Sequence, residues 1–549
     1  MSPGFNLADI FESVADAIPD REALICGDRR LTYSQLEERA NRLAHHLQAH
    51  GVVAGAHVGL YMINGTEYVE AMIACLKIRA VPINVNYRYV EEELRYLFDD
   101  ADLVAVLHHR KFGPRIDTVK GRAPKLQHVV TVDDGSGEPP AGVEYEGALA
   151  GASPTRDFPP RSGDDLFVIY TGGTTGIPKG VMWRQEDLFF TGMGGGNPQG
   201  PPVEGPEGVA TNAVGRFVLT QFPVPPLIHG AAQLGVFIGL NWGDRVLLIP
   251  RFDPVEVWDA AAREHANTLT IVGDAMARPM AEVLQANPGR WDLSSVVYVG
   301  SAGAVMSEHV KEQLRALLPN TIVTENFGAT ETGYQGMAAP GASGMRFVMN
   351  PNTTVFDDDL RPLEPGSGTI GRLALRGRVP LGYYKDAAKT AANFVEVDGV
   401  RWVMQGDLAT VEPDGTITVF GRGALCINTG GEKVFPEEVE AAVRAHPDVY
   451  DAVVVGVPDE RWGERVAAIA EPRPGRQPAL ADVQSHCRTL IAGYKVPREL
   501  HLVDRLLRQP SGKPDYRWAK SVAMGATEPP VTGEPPQDVA HIVAPHAPT

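Results

Sequence analysis

The chain has 549 residues, too many for one hydrophobic core, so at least two packed units are expected. Apolar residues make up 44% and charged residues 21%, a globular balance that excludes wholesale disorder. Sixty-eight acidic against 50 basic side chains leave a net charge of −18, which argues against a nucleic-acid binder, since such a protein presents excess Lys and Arg to phosphates.

The opening residues, MSPGFNLADIFESV, show neither the basic nor the apolar segment of a signal peptide. Ser34 and Glu37 have the spacing of a capping box. Leu36, Ala40, Leu43, Ala44 and Leu47 then recur at helical period, predicting a helix that Gly51 closes. Residues 58–86 (VGLYMINGTEYVEAMIACLKIRAVPINVN) alternate strand and helix signals. Residues 192–208 (GMGGGNPQGPPVEGPEG) are rich in Gly and Pro and predict an exposed loop or lid. The uncharged stretch 217–243 is long enough to span a bilayer. Its prolines (Pro223, Pro225, Pro226) and polar groups (Gln221, His229, Gln233, Asn241) fit a buried strand–loop–helix passage better.

Further on, 296–299 reads as a strand, 300–303 as a turn and 307–318 as a helix. Strands alternating with helices at these lengths predict an α/β fold, here a multi-domain α+β chain. After about residue 420 the texture changes. Pro436 opens a helix, and 453–472 reads as two strands around a loop, a compact unit of about a hundred residues. The expected division is 1–422, 423–524 and a disordered tail, 525–549, with paired prolines. Cys26, Cys75, Cys426 and Cys487 are too scattered for a metal or disulfide framework, which fits a reducing, cytoplasmic setting.

The strongest chemical signal is 170–180, YTGGTTGIPKG, directly after the apolar run 166–169. A strand running into a Gly/Thr-rich turn presents N–H groups and hydroxyls to phosphate oxygens, and Lys179 adds positive charge. It is not a GxxxxGK[ST] loop. Ile177 and Pro178 separate Gly176 from Lys179, and Gly180 stands where the magnesium hydroxyl would be. Residues 366–371 (GSGTIG) satisfy GxGxxG, but they follow a turn and precede a strand, so a dinucleotide-binding unit is rejected.

The 170–180 loop resembles the phosphate-binding signature of the adenylate-forming superfamily: acyl- and aryl-CoA synthetases, peptide-synthetase adenylation domains and firefly-type luciferases. The resemblance continues in order over residues from about 5 to 522. PPLIH (225–229) is similar to the acyl-pocket motif, NFGATE (326–331) to the aromatic-Gly-x-Thr-Glu motif, and WVMQGD (402–407) with Gly421-Arg422 to the ribose-binding pair. GGEKVFPEEVE (430–440) resembles the motif opening the small C-terminal domain, and PSGK (510–513) the catalytic-lysine loop.

That resemblance implies a two-step ligase. A carboxylate attacks MgATP to give acyl-AMP and pyrophosphate, and the thiol of CoA then displaces AMP. A carboxylate is already nucleophilic at neutral pH, so what the first step needs is charge neutralisation and in-line positioning. The implied catalytic set is Lys513, Thr330, Glu331 and His229, with Glu331 as magnesium ligand, a hard oxygen for a hard cation. The implied ATP/AMP contacts are Thr171, Gly172, Gly173, Thr174, Thr175, Gly176, Lys179, Ser301, Ala302, Gly303, Asn326, Phe327, Gly328, Ala329, Thr330, Asp407, Arg422 and Lys513. Phe327 would stack on adenine, while Asp407 has the lone pairs to accept from both ribose hydroxyls. Gly430 and Gly431 would admit the pantetheine arm of CoA, because no Cβ stands in the way. Read without the resemblance, His229 is equally a core histidine, and Gly430-Gly431 a helix-entry turn.

Several residues depart from the family pattern. Gly172 replaces a hydroxyl residue, Gln405 a threonine and Ile228 an aromatic, while Ala424 and Leu425 stand where a charged hinge pair is usual. The detailed wording, including INTGGEKVFPEEVE and PSGKPDYRWAK, resembles actinobacterial synthetases for sterol side-chain acids such as 3-oxocholest-4-en-26-oate. The implied substrate is therefore a bulky hydrophobic acid. The alternatives are a medium- or long-chain fatty acyl-CoA synthetase and an acyl-AMP ligase serving a carrier protein. The implied cofactors are ATP, Mg2+ and CoA. The implied partners are the small-molecule acid, ATP and CoA, with no nucleic acid and no transmembrane segment; a homodimer is left open.

Overall fold

The computed structural model describes residues 4–172, 178–197, 201–341, 344–429, 432–459, 462–509 and 513–525. Strands alternate with helices through the first three hundred residues, and the fold is α/β with a large N-terminal part and a smaller C-terminal one. An eight-stranded sheet has parallel strands Val81–Asn84, His57–Tyr61, Leu103–His109 and His128–Val132 at its centre. His57–Tyr61 is buried throughout, as expected of a parallel strand covered on both faces. A longer sheet begins with parallel strands Thr220–Pro223, Thr268–Ile271, Tyr298–Ala302 and Ile322–Ala329, then turns antiparallel at Gly333–Ala338.

The two sheets share one apolar core. Helix Thr66–Lys77 is buried along its whole length, and helix Tyr33–Ala49 buries Leu36, Ala40, Leu43, Ala44 and Leu47, the residues whose period predicted it. Lys77 reaches into this core fully buried, its ammonium 2.6 Å from Glu12 and 2.7 Å from Glu37. Paired in this way, it avoids the penalty of an isolated buried charge.

Three local expectations are corrected. The capping box is Thr32 with Gln35, not Ser34 with Glu37. Strand Arg29–Thr32 pairs with Glu22–Cys26 until Thr32 meets Glu22, so the chain enters the helix directly from its last ladder pair. The strand expected at 296–299 runs instead over Tyr298–Ala302, which puts Gly300, Ser301 and Ala302 in the sheet rather than in a turn. Residues 192–208 are only partly a loop. Gly195 and Gly196 are buried at left-handed φ of 57° and 72°, where a Cβ would strike Phe190, Phe189 and Val209, and helix Pro206–Gly215 starts within the segment.

The 217–243 stretch forms strand Thr220–Pro223 and helix Gly230–Asn241, the expected passage. Among the described residues no helix is long and apolar enough to cross a membrane. The GxGxxG decoy leads into strand Gly371–Arg376, not a helix. Helix Pro436–Arg444 starts at its proline, and the hairpin Val449–Asp459 with Gly463–Pro472 carries a separate small sheet and core. Residues 526–549, the expected tail, lie outside the described residues.

Candidate active site

Strands Leu166–Gly172 and Pro178–Arg184 are antiparallel, with Thr171 opposite Lys179 and Gly172 opposite Pro178. Their connection, including Gly173, Thr174, Thr175 and Gly176, lies outside the described residues. Lys179 extends to Asp386, Nζ to carboxylate 3.3 Å. Burial pulls the Lys179 ammonium pKa down, but the hydrogen bond to Asp386 and the Tyr96 hydroxyl outweigh it, leaving a net rise and a firmly held positive charge.

Two buried asparagines that sequence reasoning passed over hold residues 225–228, and Asn84 ties them to this strand. Asn84 Nδ2 donates to the carbonyls of Tyr170 (2.8 Å) and Ile228 (2.6 Å), while its Oδ1 accepts from Tyr170 N at 2.8 Å. Asn64 Oδ1 accepts from Leu227 N at 2.7 Å, and its Nδ2 donates to the Pro225 carbonyl at 3.3 Å. Residues 225–228 are thereby tied to the strand that leads into the candidate phosphate loop. The available signal was Asn84, a polar residue ending an otherwise apolar strand, which demands partners once buried.

His229 is half-buried and caps helix Gly230–Asn241, its carbonyl accepting from Ala232 and Gln233 N–H groups. A Cβ on the next residue, Gly230, would lie 3.2 Å from Ile169 and 4.0 Å from Thr330 Oγ1. The turn at His229 therefore abuts both the middle of strand Leu166–Gly172 and the NFGATE segment.

That segment begins inside strand Ile322–Ala329, which includes Asn326, Phe327, Gly328 and Ala329, and turns sharply into Gly333–Ala338. Trp183 Nε1 donates to the Thr330 carbonyl at 2.9 Å, and Thr332 Oγ1 accepts from Ala329 N at 2.9 Å. Glu331 is only 7% exposed. The Tyr383 hydroxyl donates to Glu331 Oε1 at 2.8 Å and accepts from Asn393 Nδ2, also at 2.8 Å. The Lys389 ammonium stands 4.4 Å from the centre of the Tyr383 ring. A carboxylate with one oxygen fixed and no surplus mobility fits the needs of a hard divalent cation. Tyr383 and Asn393 were not among the expected site residues, because neither belongs to a chemical motif.

On the expected adenine side, Ser301 is fully buried and its Oγ accepts from Gly273 N at 2.8 Å. Ser301 and Ala302 pair with Glu325 and Asn326, and Asn326 Nδ2 donates to the Tyr298 hydroxyl at 3.0 Å. Gly303 has φ 83°, with no atom within 4 Å of where a Cβ would sit, so a flat ring has room beside it. Phe327 is half-buried and leans on Phe347, ring centres 5.1 Å apart.

Asp407 and Arg422, the expected ribose pair, are opposite each other in the antiparallel ladder of strands Asp407–Val411 and Ile417–Arg422. Gly406 and Gly421 beside them have φ of 91° and 96°. Glu437 lies against Gly421, where any Cβ would collide with its carboxylate. Burial, then repulsion from Glu440 and Asp407, pushes the Glu437 carboxyl up to about 8. The Phe420 and Phe435 rings stack at 5.0 Å across a 3-10 turn, Gly423–Leu425, that includes the unusual Ala424 and Leu425. Gly430 and Gly431 lie outside the described residues, as do 510–512. Lys513 is exposed, and its carbonyl accepts from Gln509 N at 2.8 Å.

The chain belongs to the AMP-binding enzyme family, matching it over residues 11–384 and the family's C-terminal domain over 438–513. It is an AMP-forming acid–thiol ligase, a class that uses ATP, Mg2+ and CoA. It is 48% identical over 548 residues, 98% of both chains, to a medium/long-chain-fatty-acid–CoA/3-oxocholest-4-en-26-oate–CoA ligase of Mycolicibacterium smegmatis. To a 3-oxocholest-4-en-26-oate–CoA ligase of Rhodococcus rhodochrous it is 49% identical over 94% of this chain and 95% of the relative. The fold is similar to the crystal structure of an anthranilate CoA ligase in complex with anthranoyl-AMP, with TM-score 0.82 and 22% identity over 96% of this chain and 99% of that one.

Proposed function

We propose that the acid activated is a bulky hydrophobic one, a sterol side-chain acid such as 3-oxocholest-4-en-26-oate or a medium- to long-chain fatty acid, converted through acyl-AMP to its CoA thioester. The observation that carries this reading is the near-full-length identity of almost one half to relatives named for those substrates. Ile228, where the family commonly has an aromatic, supports a wide acyl channel at the His229 turn.

In this reading Glu331, oriented by Tyr383, holds the magnesium ion, which would neutralise phosphate charge during adenylation. Thr171 to Gly176 and Lys179 hold the phosphates, while Thr330 and His229 stand at the acyl end. Asn326 to Ala329, with Ser301, Ala302 and Gly303, form the adenine wall, and Asp407 and Arg422 hold the ribose. Lys513 supplies positive charge to the bond being formed. Residues 1–422 form the nucleotide- and acid-binding domain, and 423–524 the domain that carries Lys513 and brings Gly430-Gly431 to CoA. The protein works in the cytoplasm. A homodimer is the assembly to test, by sedimentation.

The deciding experiment incubates the protein with MgATP, CoA and a panel of sterol, fatty and aryl acids, with AMP and thioester measured by mass. Thioester from the sterol acid and from fatty acids is expected. Turnover of aryl acids alone would discard the substrate class. Acyl-AMP that accumulates equally with and without CoA would instead favour a ligase that serves a carrier protein.

A further inference from the structure

Far in sequence from every candidate active-site residue, the end of helix Tyr33–Ala49 meets the start of strand His128–Val132 with three imidazoles. His46 and His50 are four residues apart, one helical turn, so they share a face. His128 comes to them from the sheet. His46 Nε2 and His128 Nε2 are 2.9 Å apart, and both residues are buried. The exposed His50 stacks at 4.1 Å on His128 and lies 4.2 Å from His46, ring centre to ring centre. Its Nδ1 sits 2.8 Å from the His46 carbonyl. A proton on Nδ1 satisfies that carbonyl and leaves the Nε2 lone pair unused, the tautomer arrangement common in metal-binding histidines.

One ligand nitrogen from each ring falls within 4.8 Å of the others, the one such His/Cys/Asp/Glu group among the described residues. A tetrahedral ion with metal–nitrogen bonds of about 2.0–2.1 Å needs its ligands roughly 3.3 Å apart. The buried pair is already near that spacing, and the third ring, exposed at the surface, lies within 4.8 Å of both. Three nitrogen donors without a carboxylate select against Mg2+ and Ca2+ and for Zn2+, Ni2+ or Cu2+.

We propose that His46, His50 and His128 form a binding site for a transition-metal dication of the Zn2+ type, with a fourth position open to solvent. The ion staples the end of the helix to the sheet and is separate from the magnesium of catalysis.

The test uses the full chain, stripped with a chelator and then equilibrated with Zn2+ in the presence of excess Mg2+, with bound zinc quantified; Co2+ reports geometry through its visible absorption. One zinc per chain and a raised Tm are expected for the parent. His50→Ala, a surface change that leaves folding and MgATP-dependent turnover intact, should lose both the zinc and the Tm gain. His128→Ala should do the same, at some cost in stability of its own. No zinc in the parent, or equal zinc in the parent and His50→Ala, would overturn the site and leave the three rings a hydrogen-bonded stack.

Discussion

Glu331 and Lys513, the two charges proposed to act on either side of adenylation, sit in opposite surroundings. Glu331 is 7% exposed, on a tight turn between two sheet strands, held by Tyr383, which Asn393 holds in turn. Lys513 is exposed, in the C-terminal part, whose small sheet has a core of its own. The difference separates two ways of building a catalytic charge. One is fixed before substrate arrives, so no reorganisation is needed at the moment of reaction. On the proposed reading the other is delivered, which would let it serve one half-reaction and withdraw from the next.

The sharpest way to break that comparison is Lys513→Ala. It is expected to slow adenylation by roughly 10²–10³-fold, the scale of removing one group that stabilises developing charge. Thioester formation from supplied acyl-AMP and CoA should remain near the parent rate. Pyrophosphate release and CoA consumption, followed separately, read the two halves. Equal loss in both would mean that the lysine is not a delivered group.

Tyr383→Phe probes the fixed side with a smaller effect. The ring and its contact with Lys389 stay, and only the hydroxyl between Asn393 and Glu331 goes. Hydrogen bonds to charged groups contribute about 1.5–3 kcal/mol, so kcat/KM for adenylation should fall roughly 10- to 150-fold. The Mg2+ concentration giving half-maximal rate should rise as well, because the carboxylate is no longer oriented. A lower rate with an unchanged Mg2+ requirement would make Tyr383 a packing residue rather than a positioning one.

This pairing also marks where sequence is legible and where it is not. The order of motifs was readable because each carries its own chemistry at fixed spacing, and the strand–helix alternation because burial imposes a period on apolar residues. Helix Pro436–Arg444 and the hairpin after it were legible for the same reason. What escaped was long-range. Asn84 touches Tyr170 and Ile228, 86 and 144 residues away, and Tyr383 reaches Glu331 across 52 residues. No local pattern encodes which distant carbonyl a buried amide will find. The strand at 298–302 escaped for a different reason: Gly300 and Ser301 read as turn formers, yet pairing with Thr324 and Glu325 holds them in the sheet.

The junction between the two parts yields the smallest effect, visible in stability rather than in rate. Glu437 packs on Gly421, beside the proposed ribose clamp, with its Oε2 sealed from solvent and without a hydrogen-bond partner. Its carboxyl, 4.5 in an ordinary setting, is pushed up to about 8 by burial and by Glu440 and Asp407, with Arg444 opposing. An acid with a raised folded pKa holds its proton more tightly when folded than when unfolded. Its contribution is therefore fully present below about 4.5 and lost as pH rises through about 8. Between these limits the folded protein must either keep the proton or bury a charge beside two others. Glu437→Gln keeps the shape and removes the titration, so its Tm should gain on the parent's from pH 6 to about pH 8 and hold that gain above it. Parallel Tm profiles over that range would mean that Glu437 ionises freely and that the junction is wetter than its packing indicates. A parent Tm that instead gains on the variant's as pH rises would reverse the sign, placing the stabilising form of this carboxylate on the ionised side, next to Arg444.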